Sequence, residues 1–282
     1  MSSLFFLSAC SSTTFFYNRL DFILPWYLDR YVDLDRAQSG QLDLALETML
    51  DWHRREELPR YLEFLNTVSR DLDRNIAAPL NVEQLQSYAD RAEQAWFRIR
   101  DPGLELLLRL GEDLRDEQIK DFIAQMDKKQ RKYEDKYLSR DDEEMRKDAF
   151  ESLKETLEDY LGRLDKTQQE RLRVAAGELL RSDAVWLQER SAWTAKLARA
   201  LEREPGWQRR VIAIIHDWEA GLDPEVEALY DHNTSVVQSA MVDVLNNRSE
   251  KQDIRLHKKI DGFRDDLSLL ISQGESQSAA AH

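Results

Sequence analysis

Residues 150–168 read FESLKETLEDYLGRLDKTQ, and this stretch decides the fold class. Its apolar residues Phe150, Leu153, Leu157, Tyr160 and Leu164 recur at spacings of 3, 4, 3 and 4. That is the period of one helix face, not the alternation of a strand. The following segment answers with Leu172, Ala176, Leu179, Trp186, Trp193 and Leu197. The two stripes are joined by Gly162-Arg163-Leu164-Asp165, a short connection that favours antiparallel neighbours.

The same pattern runs outward in both directions. Helices are predicted at 16–33, 36–57, 59–77, 81–100, 103–111, 115–138, 141–162, 165–203, 206–220, 223–246 and 248–271, with breaks placed at prolines and capping residues. Only 9 glycines and 6 prolines punctuate 282 residues, and no segment alternates with a strand's period of two. The fold class expected is all-α, an elongated multi-helix bundle of antiparallel helical hairpins forming a single domain over 10–272. The small, polar stretch 273–282 is expected to be a disordered tail. Residues 128–144, KKQRKYEDKYLSRDDEE, hold few apolar side chains and are expected to project into solvent, laced by pairs such as Asp127–Arg131 and Glu143–Lys147.

Five phrases recur at predicted helix starts. Leu34–Gln38, Leu80–Gln84, Leu114–Gln118 and Leu164–Gln168 read L-x-x-x-Q, and Leu222–Val226 matches with valine in the last place. Asp or Asn after the leucine is a good N-cap, the leucine can staple back onto the first turn, and acidic residues there suit the positive end of the helix. The glutamine can reach neighbouring backbone. Arg115 is the exception, having no acceptor with which to cap. These phrases resemble the L-T-x-x-Q repeats of the Spy-like periplasmic chaperones, all-helical proteins that hold unfolded clients on a cradle-like surface. The family's threonine is Asp, Asn or Arg in this chain.

Near the start, Leu7-Ser8-Ala9-Cys10 fits a bacterial lipobox: an aliphatic residue, two small residues that suit a narrow peptidase site, and the only cysteine. Cys10 would carry the lipid and lead the mature protein. Residues 1–9 read as a truncated signal peptide, since no Lys or Arg precedes the apolar run as a secretory signal requires. Ser11 in place of aspartate points to the outer membrane, facing the periplasm. The aromatic stretch behind it, FFYNRLDFILPWYLDRYVDLDRAQ (15–38), together with WHRREELP (52–59), resembles an uncharacterised proteobacterial lipoprotein family known as a domain of unknown function. The resemblance implies a periplasm-facing helical lipoprotein and no particular activity. Two readings of the aromatic stretch stand side by side. It is either the first core element, tucked against the bundle, or an interfacial segment with Trp26, Tyr27 and Tyr31 at headgroup level.

Composition narrows the function classes. A net charge of −14, from 54 acidic and 40 basic residues, repels phosphate backbones and argues against nucleic acid as a partner. A single cysteine rules out an internal disulfide. No run of uncharged apolar residues is long enough to span a bilayer. His53 with Glu57, and His216 with Glu219, share helix faces but lack the spacing of di-iron or zinc motifs. They read as satisfied or surface side chains, so no metal ligand, catalytic residue or cofactor is assigned. The expectation is a non-enzymatic, lipid-anchored protein of the outer membrane, acting on an envelope protein partner as a chaperone-like or envelope-assembly factor. The rival readings are an enzyme or small-ligand binder whose site is assembled across helices, and a structural spacer.

Overall fold

The computed structural model describes residues 12–73, 78–217 and 222–280, and among them the regular structure is entirely helical. The helices are α1 (Ser12–Tyr17), α2 (Leu20–Leu28), α3 (Arg36–Trp52), α4 (Leu58–Asp71), α5 (Val82–Asp113), α6 (Asp116–Tyr137), α7 (Asp142–Leu161), α8 (Lys166–Glu178), α9 (Asp183–Ala200), α10 (Trp207–His216), α11 (Pro224–Asn246) and α12 (Glu250–Ala280). A π-helical turn, His53–Glu57, joins α3 to α4. The all-α multi-helix bundle expected from the periodicity is the architecture observed.

Four of the five seam residues at 150–164 face the core, Leu157 and Leu164 buried and Phe150 and Leu153 packed against them, whereas Tyr160 is 38% exposed and its neighbour Leu161 is buried instead. Leu157, Leu161 and Leu164 are buried with Leu172 and Ala175 of α8, Ala240 and Val244 of α11, and Leu256 and Ile260 of α12. A second cluster joins Leu104 of α5 to Leu197, Ala200, Trp207 and Val211 of α9 and α10. A third, smaller one holds Leu42 and Leu46 of α3 against Leu110 of α5. Helix α5, 32 residues long, spans about 48 Å at 1.5 Å per residue and supplies a residue to both of the smaller clusters. At the α7–α8 turn Gly162 adopts φ +76°, a conformation that costs a residue with a Cβ.

Two predicted breaks are absent and two predicted helices are broken, the one over 16–33 being interrupted at Asn18-Arg19 and ending at Leu28. Pro59 does not separate α3 from α4. Its missing N–H and bulky ring would disturb an ordinary α turn, and the wider π turn just before it carries the chain through, with Leu58 N–H bonded to the His53 carbonyl. Pro102 lies inside continuous α5, where burial of Leu104 and Leu110 outweighs the lost hydrogen bond. The segment predicted as one helix over 165–203 instead divides after Glu178. There Asn233 of α11 takes over the backbone of Leu180, accepting from its N–H at 2.8 Å and donating to its carbonyl at 2.9 Å. The expected tail is helical as far as Ala280. Gln273 accepts a hydrogen bond from Asn18 at 3.1 Å, and Gly274 lies so close to Arg54 that an added Cβ would stand 2.6 Å from its Cδ. The solvent-projecting stretch is also anchored: Tyr133 and Tyr137 flank Trp186 of α9 at 5.5 and 6.0 Å, and buried Gln130 donates to the Leu187 carbonyl at 3.0 Å.

The recurrent glutamines turn out to be joints between helix ends. Gln38 and Gln118 exchange amide hydrogen bonds at 3.1 and 2.8 Å. Each carboxamide oxygen also accepts from the N–H of its own cap residue, Asp35 at 2.9 Å and Arg115 at 2.8 Å. Each amide nitrogen donates to a carbonyl two residues before the partner's cap, Asp113 and Asp33. The same arrangement recurs between Gln168 and Gln252, at 3.0 and 2.9 Å. Here the cap donors are Asp165 and Ser249, and the carbonyls belong to Asn247 and Arg163. All four side chains are buried, so full satisfaction is what makes them tolerable there. Arg115, which cannot cap its own helix, donates instead to the Asp35 carboxylate across the joint at 2.9 Å.

Candidate functional site

Helices α1 and α2 lie at one edge of the bundle and are held mainly by polar contacts. The fully buried Thr14 hydroxyl donates to Asp266 of α12 at 3.1 Å, and Asn18 bridges Gln273 and Arg54. Tyr17 reaches the His53 Nδ1 at 2.9 Å. Helix α2 buries none of its residues, and only half-buried Leu28 joins a core cluster. The stretch thus divides: α2 stays at the surface, whereas Val32 is buried and Leu34 packs against the same core cluster as Leu28. The outward face of α1–α2 is aromatic: Phe15, Phe16, Phe22 and Trp26 are exposed, Phe22 by 68% and Trp26 by 51%.

Two arginines stand in that face. Arg19 lies 5.4 Å from the Phe15 ring centroid and Arg30 lies 4.1 Å from that of Trp26. Phe22 and Trp26 stand one turn apart on α2, while Phe15 belongs to α1 and Arg19 and Arg30 to the turns that flank α2, so the stripe mixes rings with guanidiniums. The three aromatic residues expected to act together divide: Trp26 faces outward, whereas Tyr31 turns toward α6. There it packs 6.1 Å from Phe122 and accepts a hydrogen bond from Lys129. Tyr27, half exposed, touches Tyr31 through their hydroxyls at 3.2 Å. Cys10 and the preceding Leu7, Ser8 and Ala9 lie outside the described residues.

Between α2 and α3 runs an open groove of about 1340 Å³. Phe22, Trp26, Leu44 and Leu50 supply its apolar walls, and Asp21, Asp43, Glu47 and Asp51 ring them with carboxylates. Tyr17 also lines it, with Arg54 and Arg55 from the π turn. Such turns cluster at functional sites because they redirect side chains that an α-helix would place elsewhere. This one carries Glu57 inward to 1% exposure, where Arg98 of α5 holds both carboxylate oxygens through bonds of 2.9–3.0 Å.

His53, on the same turn, sits between two phenols, with Tyr17 at Nδ1 and Tyr61 at Nε2, 3.3 Å away. A neutral imidazole has one donor and one acceptor nitrogen, so one phenol donates and the other accepts. Burial holds the His53 pKa below its ordinary value, with the nearby Glu57 charge only partly opposing it. Burial likewise pushes Tyr17 and Tyr61 up to about 12, which keeps both phenols protonated. His53 therefore binds its proton more weakly in the folded chain than in the unfolded one. Its contribution is intact above the unfolded pKa of about 6.5 and is lost as pH falls from there through the lower folded value. Denaturation of the native protein and of His53→Gln between pH 7.5 and 5 should show a shallower loss of stability in the variant. Parallel curves would mean that His53 does not titrate with unfolding.

Sequence spacing gives the His53–Glu57 pair no metal-site character. The features that make it a site are Arg98, 41 residues beyond Glu57, and Tyr17, 36 residues before His53. His216 faces Asp101 at 3.2 Å; Glu219 lies outside the described residues.

No curated protein and no solved structure matches the chain. A family model does, over residues 30–226, which takes in the π turn, its Arg98 partner and the Gln38–Gln118 joint but begins beyond α2. By that match, which covers more than two thirds of its length, the chain belongs to the family of unknown function DUF6279.

Proposed function

We propose that this protein is a lipoprotein of the outer membrane, anchored through Cys10 with its bundle in the periplasm, and that it works through contacts with other proteins. The observation that supports this most is the exposed ring-and-arginine stripe of α1–α2, on a segment that begins two residues after Cys10. A lipid on Cys10 would bring Ser12 within about 7 Å of the anchor at 3.3–3.6 Å per residue, so α1 would start among the headgroups. Aromatic rings favour that layer, and arginines that lie along apolar surface can turn their charge toward phosphate. Two or three acyl chains would make the attachment stable, each buried CH₂ contributing about 0.8 kcal/mol. The carboxylate-rimmed groove, which shares Phe22 and Trp26 with the stripe, suits a basic, partly apolar polypeptide, as a chaperone-like or assembly role would need.

Two measurements test the anchor. Cys10→Ala should abolish incorporation of labelled fatty acid and release the protein from the membrane fraction; unchanged membrane association would overturn the reading. Fluorescence quenching by brominated phospholipid should fall when Trp26 is replaced by phenylalanine, and equal quenching would place α2 away from the bilayer. The chaperone-like role predicts suppression of client aggregation at near-stoichiometric amounts, weakened when Leu44 is replaced by lysine. Inactivity across several unfolded clients would remove it.

A further inference from the structure

Far along the chain from α1–α2, helices α5, α9 and α10 enclose a cleft of about 450 Å³. Small-molecule sites are clefts of roughly 300–1,000 Å³ with mostly apolar walls and a few converging polar groups. Trp96, Phe97, Trp186 and Trp193 line this one, bringing together three of the chain's seven tryptophans. The walls are ordered in advance. Trp186 is wedged against Tyr133 and Tyr137 at 5.5 and 6.0 Å, and the Trp193 indole donates to the Ile214 carbonyl at 3.3 Å. Trp96 is different: it stands 58% exposed, and among the described residues no hydrogen bond or ring contact holds its indole.

The cations in the cleft are unequal. Arg100 stacks on Phe97 at 4.6 Å and bonds Asp101 at 2.8 Å, and the same carboxylate faces His216 at 3.2 Å. Their charge is compensated. Arg190 lies 5.1 Å from the Tyr133 ring and donates one Nη1 hydrogen bond, to the neutral Gln130 amide. Among the described residues it has no carboxylate partner, although Glu93 also lines the cleft. A guanidinium has five N–H donors in a fixed fork suited to carboxylate or sulfonate. In a chain of net charge −14, an arginine without a carboxylate partner, set among aromatic walls, is the group that calls for an anion.

We infer that this cleft binds a small planar aromatic anion, its ring against Trp96 and Trp186 and its acidic group on Arg190. Removing the anion should cost affinity, because water-exposed rings alone give no orientation, and removing Trp96 should cost it because the ring supplies the open wall. The experiment uses the full chain and 1-anilinonaphthalene-8-sulfonate as probe, with N-phenyl-1-naphthylamine as its uncharged counterpart. The sulfonate should bind saturably at one site per chain. Arg190→Gln and Trp96→Ser should each weaken it tenfold or more while far-ultraviolet circular dichroism stays unchanged. The uncharged compound should bind the native chain at least tenfold more weakly and lose nothing further in Arg190→Gln. Equal binding of both compounds would reduce the cleft to an apolar surface and overturn the inference, as would sulfonate binding that neither variant weakens. Should a variant lose its helical signal, Arg190→Lys, which keeps the charge but not the fork, gives the same reading through an intermediate affinity.

Discussion

Replacing Arg98 with leucine will destabilise the fold by about 3 kcal/mol, the lower end of the range for removing one partner of a buried ion pair. The lower end applies because the two partners differ in environment: the Glu57 side chain is 1% exposed and that of Arg98 34%. Loss of the guanidinium leaves a carboxylate inside the protein with none of the three hydrogen bonds it now accepts from Arg98. The more distant Arg60, at 3.8 Å and largely in water, cannot replace a bidentate fork. Glu57→Gln should cost less, since a neutral amide loses the charge but escapes the desolvation penalty. The double variant Glu57→Met with Arg98→Met should recover most of the loss, because an apolar pair of similar volume needs no compensation. Urea denaturation of the three proteins checks the order. If Arg98→Leu were as stable as the native chain, the π turn would not depend on this pair.

The second large effect belongs to the glutamine joints. Gln38→Leu should lower stability by about 3 kcal/mol, since it takes the side-chain partner from the Asp113 carbonyl and the Asp35 N–H and leaves the buried Gln118 amide with only its bonds to Arg115 and Asp33, each unsatisfied group costing about 1–3 kcal/mol. Gln118→Leu should cost a similar amount. The pair of substitutions should cost clearly less than their sum, by about 1–3 kcal/mol, because the second leucine removes an amide that the first had already deprived of its exchanged hydrogen bonds. The same cycle on Gln168 and Gln252 should give the same sign. Gln84 provides the internal control. It bonds only its own cap, accepting from Asn81 N–H at 3.1 Å, and among the described residues it has no glutamine partner. Gln84→Leu should therefore cost little. Strict additivity at Gln38 and Gln118 would contradict a shared hydrogen-bonded unit.

The glutamines also mark how far the sequence can be read. Each L-x-x-x-Q phrase is visible as helix-start grammar, and Asp35, Asn81 and Asp165 do cap as that grammar requires, each accepting from the N–H three residues on. The pairing is not visible, because the partners stand 80 and 84 residues apart and a buried glutamine is written with the same letter as an exposed one. Gln252 escapes the pattern altogether: its phrase, Arg248-Ser249-Glu250-Lys251-Gln252, has no leucine to signal it. The aromatic cleft is hidden for the same reason. Trp186 and Trp193 read as a core stripe, and only the placement of α5 beside α9 brings Trp96 to the same cleft.

What the residues determined by themselves is whatever depends on neighbours within a turn or two: helical period, capped starts, the absence of strand alternation, and the seam of Phe150 to Leu164 that forces a hairpin. Proline breaks belong only partly to that class. Pro59 and Pro102 look like stops from their immediate neighbours, yet burial of Leu58 and Leu104, supplied from elsewhere in the chain, outweighs a single missing hydrogen bond. The exposed face of α2, the Glu57–Arg98 pair, the glutamine joints and the uncompensated Arg190 were decided only by the tertiary structure. Each is a matter of which groups are withdrawn from water and which partners meet them there, and that is set by packing between helices remote in sequence.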